Sequence, residues 1–411
     1  MLHPESVIQE SIASLPRLVL KPGREKSALN RHPWIFSGAV QQLPRVEGHS
    51  AENGTIVEVL SGEKALIGYG FFSPDSQITC RLFEFTSQPV DVHAPDYWHQ
   101  KVGRAFALRQ RYLVSSATNC YRLLHAEGDF FPGIIADVYG EIAVVQVLIK
   151  GAELIHPFIV EALRQVGIST VYLKNKLNSG FLEQVKLANG WLTPRELPGR
   201  VTVRENGLSF LIDFERGQKT GFFLDQRENR ALLRQYATGK KVLNAFSYTG
   251  GFSVYALAGG ATEVHSVDVS KDALQLGDEN VALNFPGGAA HQSFATDCFE
   301  YLRETENHYD VMVLDPPAFA KNARSVPNAT RGYKELNLKA LRKVNPGGLI
   351  FTFSCSQHID RDLFRKIVFG AAADAGRNVR ILHQLSQPAD HPINLYHPES
   401  EYLKGLVLYV E

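Results

Sequence analysis

Four side chains in this 411-residue chain combine polar or reactive chemistry with a place at the end of an apolar run: Asp268, Asp297, Asp315 and Cys355. Cys355 lies in Thr352-Phe353-Ser354-Cys355-Ser356. A free thiol, with a pKa of about 8.5, is a small fraction thiolate at neutral pH, yet already a good nucleophile. Asp315 opens Asp315-Pro316-Pro317-Ala318-Phe319. Two prolines fix φ and remove two backbone donors, which suits a carbonyl-lined slot for a planar ring with Asp315 reading its edge. Singly, each has a bland account. A cysteine after an apolar run is commonly a small core residue, and an Asp-Pro-Pro turn can simply end a strand. Their company, with Ser354 and Ser356 beside the thiol, favours a reactive group next to a ring-binding turn. Cys80 and Cys120 are assigned to packing; Cys298, next to Asp297, is also placed to line a ligand site.

Positioning these groups requires a scaffold, and Lys241 to Ser270 supplies its start. Val242 to Phe246 reads as a strand, Gly250-Gly251 as a turn, Phe252 to Leu257 as a helix, and Val264 to Val269 as a second strand containing Asp268. That is half of a mononucleotide-binding fold. Phe246, Ser247, Tyr248, Thr249, Gly250 and Gly251 form the ligand-facing turn, where glycine lets backbone approach a ligand. Asp268 falls 18 residues after Gly250 and is placed to bond ribose hydroxyls. The turn is not GxGxxG, and no phosphate-cradling lysine accompanies it. A nucleoside without phosphate fits better than a dinucleotide or ATP, and S-adenosylmethionine is such a nucleoside. The alternative is a structural βαβ unit with no ligand.

Strands continue to alternate with helices downstream. His291 to Ala295, Asp310 to Leu314 and Gly348 to Phe353 are strands, and Ser270 caps a helix through about Asn284. Such alternation predicts an α/β, mostly parallel sheet covered on both faces, with ligands at the carboxyl ends of its strands. Asp268, Asp297, Asp315 and Cys355 all fall on that rim.

The remainder divides into two smaller units. Residues 1–88 read as a β-rich module, 96–190 as a central α/β unit and 195–411 as the Rossmann-like unit. In the first, five basic residues and one acid lie between Arg17 and Arg31, Arg24 and Lys26 among them, followed by His32-Pro33-Trp34-Ile35-Phe36. A basic stretch beside aromatics can hold an RNA backbone and stack on a base; Trp34 and Phe36 are expected in the core. Asp129 and Asp137 of the central unit are expected on the surface or in turns. Between Lys321 and Lys343 stand seven basic residues and one acid. Lys321, Arg324 and Arg331 read as a loop suited to clamp phosphates, and Lys339, Arg342 and Lys343 as a solvated helix face.

Composition restricts the reading further. Formal net charge is zero, so any RNA surface must be a local patch. Four widely separated cysteines, with no CxxC and no zinc-like Cys/His spacing, predict neither a disulfide framework nor a metal and suit a reducing cytoplasm. The amino terminus carries no export signal pattern, and no apolar run approaches the roughly 20 residues that span a bilayer. A homodimer is compatible with the chain, and nothing in the sequence fixes the oligomeric state.

KTGFFLDQR, NAFSYTGGFS, SVDVS, DPPAF, RGYKELN, TFSCS, ADHP and YLKG, in that order, together resemble the S-adenosylmethionine-dependent RNA 5-methylcytosine methyltransferases, most closely the large-subunit ribosomal RNA methyltransferase I family. The resemblance covers the whole chain and implies an amino-terminal PUA-like module, a central α/β unit and a Rossmann-like catalytic domain. It implies ribosomal RNA as substrate and Cys355 as a nucleophile that attacks C6 of cytosine. Asp315 would bond the base edge, the glycine turn the methionine part of the cofactor, Asp268 the ribose, and Asp297 the region near adenine. Lys219, Thr220, Phe222 and Gln226 are implied to close over the cofactor. Many such enzymes carry a second cysteine in the turn where this chain has Ala318, so the base that removes the C5 proton is unassigned. Uracil C5, an exocyclic amine, and a non-catalytic RNA-binding assembly factor stay open as alternatives.

Overall fold

The computed structural model describes residues 15–175, 185–194 and 197–411. The amino-terminal residues read above for an export signal, and those near 195 where the pattern is expected to change, lie outside them.

The first sheet contains β1 (Arg17–Leu20), β2 (Trp34–Phe36), β3 (Val40–Gln42), β4 (Ile56–Leu60), β5 (Leu66–Phe72) and β6 (Ile78–Phe85), in the order β2-β6-β5-β4-β1-β3. Expectation fails at β2. This edge strand alternates, so Ile35 enters the core while Trp34 and Phe36 point the other way. Phe36 is 48% exposed. Trp34 packs between units instead: its indole N–H donates to Glu127 at 3.0 Å and its ring centroid lies 4.4 Å from that of His397.

The helix α1 (Pro95–Tyr112) leads into a second sheet of β7 (Cys120–His125), β8 (Ile134–Tyr139), β9 (Ile142–Val147), β10 (Thr170–Leu173) and β11 (Gly190–Trp191), with α2 (Lys150–Gln165) crossing between β9 and β10. Tyr69, Phe71 and Phe83 of the first sheet join Trp98, Leu123, Phe131 and Ile155 in one core. Asp129 and Asp137 depart from the surface expectation. Asp137 is fully buried against Arg122 (2.7 and 2.8 Å), and Asp129 takes a two-pronged bond from buried Arg109 (2.7 Å each).

A hairpin, β12 (Arg200–Glu205) and β13 (Leu208–Asp213), packs the central sheet against the third unit. That unit runs α3 (Arg227–Tyr236), β14 (Lys241–Ala245), α4 (Gly251–Ala258), β15 (Glu263–Asp268), α5 (Lys271–Asn284), β16 (His291–Ala295), α6 (Cys298–Glu304), β17 (Tyr309–Leu314), α7 (Val326–Lys343), β18 (Val344–Ser354), α8 (Arg361–Ala375), β19 (Val379–Leu385) and β20 (Lys404–Val410). Its sheet order is β16-β15-β14-β17-β18-β20-β19, parallel except for β20. Both faces are covered: α6, α7 and α8 pack on one, α3 and α4 on the other.

The basic run after β17 also departs from expectation. Arg324 lies in a short 3-10 turn and Arg331 inside α7, not in a loop. Pro327 permits this, because a first-turn proline gives up an N–H that has no helical partner. Lys339 and Lys343 are not simply solvated: Lys339 pairs with Glu335 at 2.8 Å, and Lys343 donates to the Thr305 carbonyl.

Candidate active site

β14 ends in a turn that needs left-handed backbone at Phe246 (φ 60), Tyr248 (φ 47) and Gly250 (φ 75). Cross-bonds hold that strain. Ser247 N donates to Val267 O (3.0 Å), Gly250 N to Ser247 O (2.9 Å) and Tyr248 N to an Asp268 carboxylate oxygen (2.9 Å). Gly250 also faces Gly277, whose Cα would lie 3.2 Å from an added Cβ. Beneath the turn, the Cys298 sulfur accepts from Phe246 N (3.2 Å) and its thiol reaches Val267 O (3.5 Å). Burial pushes that thiol up to about 12, as suits a packing group. Ser247 Oγ and Thr249 Oγ1 are buried with no hydrogen-bond partner among the described residues. Two unpartnered buried hydroxyls on a strained turn are suited to bond a polar ligand. The second Asp268 oxygen accepts from Ser270 N (2.9 Å). Asp297 is exposed and caps α6 through Phe299 N (2.9 Å) and Glu300 N (3.1 Å).

Lys219 to Gln226 approaches from the other side. The Phe222 ring is buried under the Arg230 guanidinium at 4.6 Å and lies 3.4 Å from where a Gly251 Cβ would stand. Thr220 is committed elsewhere: its hydroxyl donates to Asp137 at 2.5 Å, anchoring the segment to the central unit. Gln226 bonds Asp315. Half-exposed Lys219 (φ 50) lies over Phe223 and 3.8 Å from Asp225.

The thiol and the Asp-Pro-Pro turn meet. β17 and β18 are adjacent parallel strands, and the Cys355 thiol donates to Pro316 O at 3.8 Å. The thiol is not the ordinary one expected from sequence. Burial pushes Cys355 up to about 11; Lys219 and Lys404 work against that rise, while Asp315 and Asp225 add to it. Asp315 is itself pushed up to about 7 by burial and then by the Asp225 charge. Around neutrality the pair is therefore a protonated thiol beside a carboxyl that readily gains or gives a proton. The segment is held firmly. Buried Lys404 donates to Ser356 O and Tyr402 O (2.7 Å each), and the Ser356 hydroxyl bonds Ala320 N (3.1 Å) and Tyr333 OH (2.9 Å).

Sequence reasoning missed Asp225, Tyr402 and Lys404. Tyr402 donates to Asp225 at 2.7 Å, and a second Asp225 oxygen is buried without a partner among the described residues. The signal available was position: Asp225 and Lys404 stand inside the KTGFFLDQR and YLKG stretches, where neither carries an obvious role by residue type alone.

Lys321, Arg324 and Arg331 are exposed, and none forms an ion pair among the described residues. The same holds for Arg24, Lys26 and Arg31, whereas Arg17 pairs with Glu58 (3.1 Å) and Lys21 bonds Gly38 O (3.0 Å). No helix among the described residues is long and apolar enough to cross a membrane, and no group of three or more His, Cys, Asp or Glu among them could hold a metal.

Residues 181–396 match the S-adenosylmethionine-dependent methyltransferase family model, and residues 18–85 a PUA-like domain. The chain is 39% identical to ribosomal RNA large subunit methyltransferase I of Salmonella arizonae, over 97% of this chain and 98% of that protein. Among solved structures, an S-adenosylmethionine-dependent methyltransferase from Streptococcus mutans superposes with a TM-score of 0.80 at 26% identity, covering 96% of this chain and 99% of that one. A methyltransferase solved as a complex with SAH superposes with a TM-score of 0.81 at 26% identity, with the same coverage.

Proposed function

The chain belongs to the ribosomal RNA large subunit methyltransferase I family of S-adenosylmethionine-dependent enzymes, and from that premise we propose that it methylates C5 of a cytosine through a covalent adduct on Cys355. The observation that carries this reading is the Cys355 thiol 3.8 Å from the Pro316 carbonyl, on the strand end next to Asp315.

The residues present fit the cofactor. Ser247 and Thr249 offer unpartnered buried hydroxyls, Gly250 lets the turn take its left-handed path, and Asp268 offers carboxylate oxygens for ribose. Lys219, Phe222 and Gln226 would close the site from above, with Thr220 anchoring their segment; Asp297 and Cys298 would border the adenine side. When bound, S-adenosylmethionine supplies an electrophilic methyl group on its sulfonium.

This chain's residues do the rest. C5 of cytosine is too poor a nucleophile to react unaided. Addition of the Cys355 thiolate at C6 breaks the C5–C6 double bond and makes C5 enamine-like. The proton that leaves the Cys355 thiol as its sulfur adds is taken up by the Asp315 carboxylate and passed to N3 as the adduct forms, which lowers the barrier selectively. After methylation, loss of the C5 proton re-forms the double bond and expels the thiolate. A methylation of an exocyclic amine would have no use for the thiol.

RNA containing 5-fluorocytosine tests the reading, because fluorine at C5 cannot leave as a proton and the adduct persists. A denaturation-resistant protein–RNA complex is expected with the unaltered chain and none with Cys355→Ala, which should still bind S-adenosylmethionine within a few-fold. Methyl transfer surviving in Cys355→Ala would overturn the covalent mechanism.

A further inference from the structure

A crevice of about 400 Å³ lies where the three units meet, lined by Arg31, Phe85, Arg104, Leu108, Phe130 and Pro392 among others. That volume lies within the ~300–1,000 Å³ range of small-ligand sites. Its charges do not cancel. Asp129 is consumed by Arg109, while Glu84 accepts from Tyr97 OH at 2.7 Å and faces buried Lys101 at 3.7 Å. The Lys101 ammonium donates inward to Phe83 O at 2.6 Å. Arg31 and Arg104 are left: both exposed, and neither in an ion pair among the described residues. Two such guanidiniums on one crevice call for an anion.

The crevice also offers rings. Phe85 and Phe130 meet edge to face, 6.1 Å between centroids. Phe130 keeps a left-handed backbone (φ 59, ψ 37), a costly conformation for an aromatic residue, and Arg31 is left-handed too (φ 65). The crevice is joined to the catalytic rim through contacts: Asp129 on its wall accepts from His125 N (2.7 Å), whose ring lies 6.0 Å from that of Tyr402, the donor to Asp225. Pro392 belongs to the connection between β19 and β20, which leaves the sheet where Gly405 pairs with Leu385 and Lys404 with Ser354, next to Cys355.

We propose that this crevice binds one nucleotide of single-stranded RNA flanking the target, its phosphodiester on Arg31 and Arg104 and its base against Phe85 and Phe130. The proposal rests on the reading of RNA as substrate, and it assigns a contact separate from the methyl-transfer site. A base stacked there would anchor the strand while its neighbour leaves the stack to reach Cys355.

The test uses the full chain and a large-subunit rRNA fragment, with affinity measured across a salt series. Arg31→Ala/Arg104→Ala should weaken binding at least tenfold and flatten the log–log salt slope by about 0.7 for each phosphate left unneutralised. Phe130→Asn, chosen because asparagine tolerates left-handed backbone, should weaken binding about tenfold with the slope unchanged. S-adenosylmethionine affinity should stay the same in both, reporting an intact fold. Unchanged RNA affinity and slope in the double variant would overturn the proposal. So would weakened binding to a protein-bearing subunit alone, which would mark the crevice as a site for an acidic protein segment. If the unaltered chain binds RNA through these arginines yet forms no 5-fluorocytosine adduct, the covalent mechanism fails and the crevice stands.

Discussion

In the proposed covalent mechanism, Cys355 and Asp315 hold one proton between them over the working range, and this would set the pH dependence of the reaction. With the carboxyl at about 7 and the thiol at about 11, both are protonated below pH 7 and neither above pH 11. The reactive form holds one proton between them, whichever atom carries it. We expect kcat/KM to rise tenfold per pH unit up to about 7, run flat, and fall only above about 11. Asp315→Asn should lower the rate and remove the levelling-off near 7, leaving a rate that keeps rising with pH toward the thiol's own ionisation; a break retained near 7 in that variant would assign it to another group. At Asp268, one oxygen braces the glycine turn through Tyr248 N and the other accepts from Ser270 N at the start of α5. Asp268→Ala should therefore weaken S-adenosylmethionine binding by about 1–3 kcal/mol, read by calorimetry, with RNA affinity unaltered. The place of Asp268, Asp315 and Cys355 at the strand ends was legible from the apolar runs alone. The raised thiol was not, because it depends on burial and on the Asp225 charge, which no spacing brings beside Cys355.

Elements decide where the exposed cations proposed to meet RNA stand. A short segment joins the Asp-Pro-Pro turn to α7, so Lys321 stands in the connecting loop as expected, while Arg324 projects from a short 3-10 turn and Arg331 from the helix. A helix sets the spacing of its cations before RNA arrives, which reduces the ordering cost of binding. Replacing all three by alanine should flatten the salt slope of RNA binding by up to about 0.7 per phosphate on a single strand, measured by titration at several ionic strengths, with S-adenosylmethionine affinity retained. The alternation of strands and helices made the sheet and its rim readable, because parallel strands buried on both faces leave long apolar runs. The edge strand β2 was misread for the complementary reason: its outward-facing Trp34 and Phe36 are apolar, and only the assembled molecule shows that Trp34 covers His397.

At the scale of the molecule, buried charge ties the central unit to the catalytic one. Asp390 accepts from Arg227 at 2.9 Å and from Arg122 N at 2.9 Å, while Arg122 grips Asp137 and Arg230 grips Glu205 at 2.9 and 2.8 Å. The Arg227 guanidinium beside Asp390 holds its carboxyl well below the usual range despite burial. Asp390→Ala would leave the fully buried Arg227 with only Glu205 (3.4 Å) and the Cys120 carbonyl (3.0 Å) and should cost about 3 kcal/mol. Urea unfolding followed at Trp98 in the central unit and at a label in the catalytic unit should show both transitions moving together; a shift in only one would mean that the units unfold independently. None of this was visible from ADHP as a string, since its partners lie up to 281 positions away. The same network limits how such a protein can be reshuffled. Arg109, Arg122, Asp129, Asp137, Arg227 and Asp390 work as matched halves of a lock whose parts are dispersed through the gene. A chimera that takes its PUA-like and central units from one parent and its catalytic unit from another inherits both halves only where the parents agree at these six positions, so crossovers between units are filtered by the charges they separate before catalysis is ever tested.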